Sequence, residues 1–153
     1  MEKPFERFDR QWALVTAGNL SHFNTMTISW GGLGTLWELP VATIYIKPCR
    51  YTHQFLETND FFTVSFFSEE YRKDLTVLGS RSGRDCDKLA LTSLTPKSIG
   101  DSVGFLEANE TLLCKKIYQM DLQKEGIPLN VIQSYYTEEA PHTMYIGQVI
   151  QEL

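Results

Sequence analysis

The sequence predicts a mainly β domain, a small closed or nearly closed barrel with short connecting helices. Three observations predict it. Six or more short runs carry the alternating or β-branched pattern of strands. Glycine and proline punctuate those runs. The helical stretches between them are short, and the order β-β-β-α-β-α, then strands again, departs from the regular alternation of a doubly wound parallel sheet.

Trp12–Ala17 is a short apolar strand closed by Gly18-Asn19. Asn24–Trp30 reads as a strand with an unusual row of small polar side chains, ending in Gly31-Gly32. Pro40–Ile46 alternates and is β-branched, and Lys47-Pro48 closes it. Thr52 is expected to cap a short helix reaching Thr58, with Phe55 and Leu56 inward. Phe61–Phe67 alternates apolar residues with Thr and Ser, a strand. Ser68 is expected to cap a helix with Glu69 and Glu70 in its first turn, where the dipole favours anions. Tyr71, Leu75 and Leu78 mark its apolar face, and Gly79 is its expected stop. Asp87–Ser93 and Pro128–Tyr136 read as further short helices, while Val103–Ala108, Leu112–Leu122 and Met144–Ile150 read as strands.

At 153 residues the chain is expected to form one domain over 1–153. A chain of this size buries roughly 68–70% of its unfolded surface, enough for a core without staples. Its net charge of −5 argues against nucleic acid as a partner, which would demand a basic surface. No apolar run reaches the roughly 18 residues of a membrane helix, and the N-terminal residues lack an apolar secretory core. Cys49, Cys86 and Cys114 are odd in number and widely spaced, without a CxxC pair. The expectation is a reduced, cytoplasmic protein with no membrane contact.

Several chemistries lack their signatures. His22, His53 and His142 stand at no metal-ligating spacing, and HExxH is absent. No GxSxG elbow occurs. Neither GxxxxGK[ST] nor GxGxxG is present, so the Walker and Rossmann phosphate loops are unsupported.

Three polar clusters point instead to a ligand with a flat polar body and a phosphate. The first is Asn24, Thr25, Met26, Thr27, Ser29 and Trp30, whose hydroxyl and amide groups lie beside exposed backbone. The alternative is that Thr25 and Thr27 simply face solvent on an antiparallel strand. The second is Arg50-Tyr51-Thr52, where a planar fork and a hydroxyl stand at a helix start. The third, Ser80–Lys88, contains Ser82 and Gly83 for close backbone approach and Lys88 as a point charge. Taken singly, Arg50 and Lys88 read more readily as solvated charges.

Residues 24–34 (NTMTISWGGLG), 47–57 (KPCRYTHQFLE) and 61–88 (FFTVSFFSEEYRKDLTVLGSRSGRDCDK) resemble the flavin reductase-like FMN-binding split-barrel family, in its flavoredoxin-type branch. The closing PHTMYIGQV resembles the family's last strand, so the likeness runs from about Trp12 to Val149. The resemblance implies a split β-barrel that dimerises, with one FMN per subunit. It implies that Asn24–Trp30 lines the flavin ring and that Arg50, Thr52 and Lys88 hold the phosphate beside Ser82-Gly83. It places Ser65, Phe66 and Phe67 as a wall behind the flavin and His142 on the nicotinamide side. It assigns neither Cys49 nor Cys86 a redox role. The implied activity is an NAD(P)H-dependent flavin reductase, with NADH or NADPH as donor. Its rivals are a flavoredoxin-type carrier served by a redox partner protein, and a barrel that only mediates interactions.

Overall fold

The computed structural model describes residues 3–153; the expected single domain over 1–153 includes residues 1 and 2, which lie outside them. The chain forms helix α1 (Glu6–Asp9) and strands β1 (Ala13–Asn19), β2 (His22–Ile28), β3 (Gly31–Leu36) and β4 (Leu39–Ile46). Helix α2 (Tyr51–Thr58), strand β5 (Phe61–Phe66) and helix α3 (Arg72–Ser80) follow. The hairpin β6 (Pro96–Ile99) and β7 (Ser102–Phe105) leads to β8 (Glu110–Asp121), α4 (Leu129–Tyr135) and β9 (Thr143–Glu152).

Seven strands build one antiparallel sheet in the order β2-β1-β5-β8-β9-β4-β3. One buried cluster takes Val15 from β1, Met26 from β2, Ile44 from β4, Val64 from β5, Cys114 from β8 and Tyr145 from β9. The sheet therefore wraps around a common core, with helices at its margins. β2 and β3 follow each other in the chain yet form its two outer edges. The barrel is split between them, as the predicted fold class requires.

The apolar run of β1 follows from burial on both faces. Ala13, Val15 and Ala17 face the barrel interior, while Leu14 joins Phe67, Leu75, Leu78, Leu94 and Phe105 in a second cluster outside it. Each such fully buried Leu contributes roughly 1.5–3 kcal/mol. That outer layer packs α3 and the β6–β7 hairpin against the sheet, and it positions the end of α3 beside β2.

Several boundaries differ from the sequence expectations. Trp30 lies beyond β2, which begins earlier and ends at Ile28. β3 was unexpected because its three glycines have low strand propensity. Its pairing is dictated by the turn: Trp37 and Glu38 both take positive φ, 53° and 61°, the twist a two-residue hairpin needs. β6 was also missed, being four residues long and starting with Pro. Arg50, not Thr52, is the N-cap residue of α2, and no side chain caps it. Ser68 precedes a 3₁₀ turn over Glu69–Tyr71 and bonds Glu70 rather than the backbone. Gly79 does not stop α3, which runs one residue further; its bare Cα lets β2 approach, since a Cβ there would sit 3.2 Å from that of Thr27.

Candidate functional site

Two adjoining cavities lie along β2. The larger, about 230 Å³, is lined by the consecutive residues Met26 to Trp30, with Tyr45 and Lys47 from the end of β4, Arg50, and His142 before β9. Consecutive residues of a strand share a cavity only along its edge, because their side chains alternate between faces. β2 is that edge: among the described residues it pairs with β1 alone, which leaves every second N–H and C=O turned outward. The cavity thus offers a row of backbone donors and acceptors.

The smaller cavity, about 70 Å³, lies where α2 begins. Asn24, Met26, Cys49, Arg50, Tyr51, Thr52, Arg81, Ser82, Gly83 and Lys88 line it. The Tyr51 and Thr52 amides at the start of α2 have no acceptor inside the helix, whereas that of His53 bonds the Arg50 carbonyl at 3.0 Å; the first two are open to an anion. Asn24 donates through Nδ2 to Thr52 Oγ1 at 2.7 Å, which ties β2 to the start of α2. Ser82 Oγ accepts from the Arg84 amide at 3.2 Å and shapes the loop. Gly83 packs so closely that a Cβ would fall 2.2 Å from Asn24 Oδ1 and 3.0 Å from the Tyr51 ring. Only glycine keeps that wall in place. Met26 and Arg50 line both cavities and join them.

The cations are held by the end of α3. Arg50 Nη2 donates to the Gly79 carbonyl at 3.2 Å. Lys88 Nζ donates to the Leu78 and Arg81 carbonyls, both at 3.2 Å, and is 4% exposed. The carbonyl end of a helix stabilises such charges. Burial, reinforced by Arg50, pulls the Lys88 ammonium down to about 8. A protein of net charge −5 thus gathers Arg50, Arg81 and Lys88 around one small cavity.

His142 is buried, and burial followed by the charge of Lys47 pulls it down to about 4, so the ring is neutral near pH 7. Its Nδ1 lies 2.7 Å from the Tyr136 hydroxyl. Trp30 packs 5.2 Å from the His142 ring and 5.2 Å from that of Tyr135, forming an aromatic wall on the larger cavity. Lys47, ion-paired with Glu139 at 2.5 Å, also faces this cavity.

The structure thus brings together Asn24, Met26, Thr27, Ser29, Trp30, Arg50, Tyr51, Thr52, Ser82, Gly83, Lys88 and His142. It separates others. Thr25 turns to the outer face of β2, bonding Thr16 Oγ1 at 2.8 Å and the Val15 carbonyl. Thr27 lines the larger cavity, but its hydroxyl donates to the Leu75 carbonyl of α3. The expected polar ligand face of the strand is therefore mostly occupied by the outer layer. Ser65 bonds Thr111 at 3.1 Å on the far side of β1. Phe66 enters the barrel core beside Phe8, and Phe67 joins the outer cluster. These three line neither cavity, because β1 stands between β5 and β2. Lys47, Tyr45 and Arg81 were missed. They carry no local motif, and only the return of β4 to the open edge brings the first two in.

A flavin reductase like domain model matches residues 5–151. The chain belongs to the flavin reductase-like family. No curated protein matches it in sequence. Solved structures share its fold. Flavoredoxin from Methanosarcina acetivorans matches with a TM-score of 0.73 and 17% identity, over 94% of this chain and 67% of that one. An FMN-binding domain of a flavin reductases-like enzyme from Shewanella baltica matches with a TM-score of 0.70 and 19% identity, over 97% and 71%. The NADH:FAD oxidoreductase of Streptomyces globisporus matches with a TM-score of 0.71 and 17% identity, over 94% and 74%. Among the described residues, no helix is long and apolar enough to cross a membrane.

Proposed function

We propose that the two cavities hold FMN and that the protein is an NAD(P)H-dependent flavin oxidoreductase. The observation that carries this reading is their junction at Met26 and Arg50: a small cationic chamber at a helix start opens into a larger one along a free strand edge. The first suits a phosphate dianion, the second a flat ring with polar edges. The residues fit that cofactor in both charge and shape, and Gly83 keeps the phosphate wall close.

Each residue then has a defined task. Arg50, Lys88 and the first amides of α2 hold the phosphate, with Asn24 fixing Thr52 against them. The outward backbone groups of β2 orient the ring, and Lys47 places positive charge beside it. The bound flavin supplies hydride acceptance, a reaction that needs no side-chain acid or base. His142, neutral and braced by Tyr136, gives a polar edge to the nicotinamide side without repelling a cationic nicotinamide. Trp30 and Tyr135 shield the larger cavity.

A homodimer belongs to this reading. β3 is an edge strand paired on one side by β4, and beside it lies a groove of about 800 Å³ bordered by Phe5, Trp30 and Leu33. Phe5 is 88% exposed in the single chain, an arrangement a second copy would cover. A second functional reading, a flavoredoxin-type carrier, draws on the exposure of Trp30 and Tyr135. Those rings bring the larger cavity to the surface, where a redox partner protein would dock.

The deciding measurement is the visible spectrum of FMN-loaded protein under anaerobic conditions. Bleaching within the mixing time on addition of NADH or NADPH supports the reductase and identifies the donor. A flavin band that persists with both supports the carrier. Failure to take up FMN at all overturns both readings.

A further inference from the structure

The helix turn at the small cavity has no cap. Arg50 stands at the N-cap of α2 without a side-chain bond, and no acceptor inside the helix takes the Tyr51 and Thr52 amides. A capping side chain would occupy donors that an anion needs. Such a turn has to be held from its sides.

Two lateral bonds hold it. From β2, Asn24 donates to Thr52. From β9, Thr143 Oγ1 lies 3.0 Å from His53 Nε2. Thr143 is 1% exposed, and its hydroxyl donates to Asp121 Oδ1 at 2.6 Å. A hydroxyl has a single hydrogen, so toward His53 it offers lone pairs alone. His53 Nε2 is therefore the protonated nitrogen and donates. The anchor is firm, because Thr143 pairs with Ile46 of β4 on one side and Asp121 of β8 on the other. The helix turn is the part being held.

A second tie fixes the register. His53 and Glu57 share a face of α2, and Thr143 and Tyr145 share a face of β9. Four helix residues rise roughly 6 Å and two strand residues roughly 6.6 Å, so both pairs meet at once. The Tyr145 hydroxyl donates to Glu57 Oε1 at 2.5 Å, and the His53 and Tyr145 rings lie 6.0 Å apart. Glu57 Oε1 also lies 3.7 Å from His53 Nε2. None of these five residues lines either cavity.

We propose that His53 and Thr143 are positioning residues for the anion end of the cleft: the Asp121–Thr143–His53 bridge holds the uncapped turn of α2 where its free amides meet a phosphate. The proposal rests on the flavin reading of the neighbouring cavities.

Thr143→Val removes the hydroxyl at nearly constant shape, and Thr143→Ser keeps it. Fluorescence titrations of both variants and the wild type would use FMN and riboflavin. Thr143→Val should bind FMN about fivefold more weakly, the net effect of one hydrogen bond, with riboflavin held within about twofold. Thr143→Ser should match the wild type with both. The flavin-free proteins give a second reading, by nitrogen NMR and amide exchange at about pH 8, where an ordinary imidazole is neutral. The His53 ring should hold the Nε2–H tautomer in the wild type and Thr143→Ser, and its amide should exchange faster in Thr143→Val. A folded Thr143→Val that spares FMN, or weakens both flavins equally, overturns the proposal. So does a wild-type His53 ring that mixes tautomers. His53→Phe, with the same loss of FMN alone expected, takes the place of Thr143→Val if that variant fails to fold. Should the wild type take up no FMN, the flavin reading falls; faster His53 exchange in Thr143→Val then upholds the brace on α2, and unchanged exchange removes it.

Discussion

Arg50 sits where the two cavities meet, and its own bond to the Gly79 carbonyl makes it a helix-end cation as well as a phosphate candidate. The two roles separate experimentally. Arg50→Ala is expected to weaken FMN by roughly 1.5–3 kcal/mol, the worth of a charge-assisted hydrogen bond, and riboflavin far less. Equal losses measured by flavin fluorescence titration would make Arg50 purely structural. Lys88 adds a pH signature. Its folded value near 8 means the ammonium is charged below that pH and deprotonates above it. A bound phosphate favours the charged form and raises the value. FMN affinity should therefore hold nearly constant between about pH 7 and 8 and fall above it, at most about tenfold per pH unit, while riboflavin affinity stays flat. Titrations at pH 7, 8 and 9 check both the sign and the window.

At the scale of elements, the site depends on how closely strands and helices approach one another. α3 delivers the carbonyls that hold Arg50 and Lys88, and Gly79 lets it lie on Thr27 of β2. β9 reaches the core through Gly147, where a Cβ would come within 2.6 Å of Phe62 Cζ and 2.7 Å of Cys114 Cβ. Gly147→Ala should therefore overpack the barrel by roughly 1–3 kcal/mol. The melting temperature should drop by about 3–10 °C, read by circular dichroism. A variant that melts with the wild type would show that the core yields there. Alternation in β5 explains where the expected wall residues lie. Period two sends Phe62, Val64 and Phe66 inward and Thr63 and Ser65 outward, and neither face of β5 looks onto the edge of β2.

For the whole molecule, the two unpaired edges have different fates in this reading. β2 turns its free edge to the cofactor cleft, and β3 turns its edge to a second copy. Leu33, 41% exposed on β3, is the point to test. Leu33→Asp should place a charge in the apolar groove and convert a dimer to a monomer, measured by light scattering with size exclusion. A wild type that is itself monomeric would remove the dimer from the proposal. Were the ring cavity completed by the second copy, the monomeric variant would also bind FMN more weakly.

The β class and the positions of most strands were legible in the chain itself, and the expected Arg50, Tyr51, Thr52, Ser82, Gly83 and Lys88 line one small cavity. Alternation in Phe61–Phe67 and Pro40–Ile46 is a local property, and so is the grouping of Arg50 with Tyr51 and Thr52. What remained hidden depends on distant partners. Only the sheet order makes β2 an edge, brings Lys47 and His142 opposite Met26, and carries Ser65 and Phe66 away. Only the pairing with β1 occupies the hydroxyl of Thr25, and only the packing of α3 makes Thr27 a bridge between layers. Side-chain polarity is written residue by residue. Which neighbour satisfies it is decided by contacts between segments far apart in sequence, and in this barrel those contacts separate the residues of one strand into open cleft, core and outer layer.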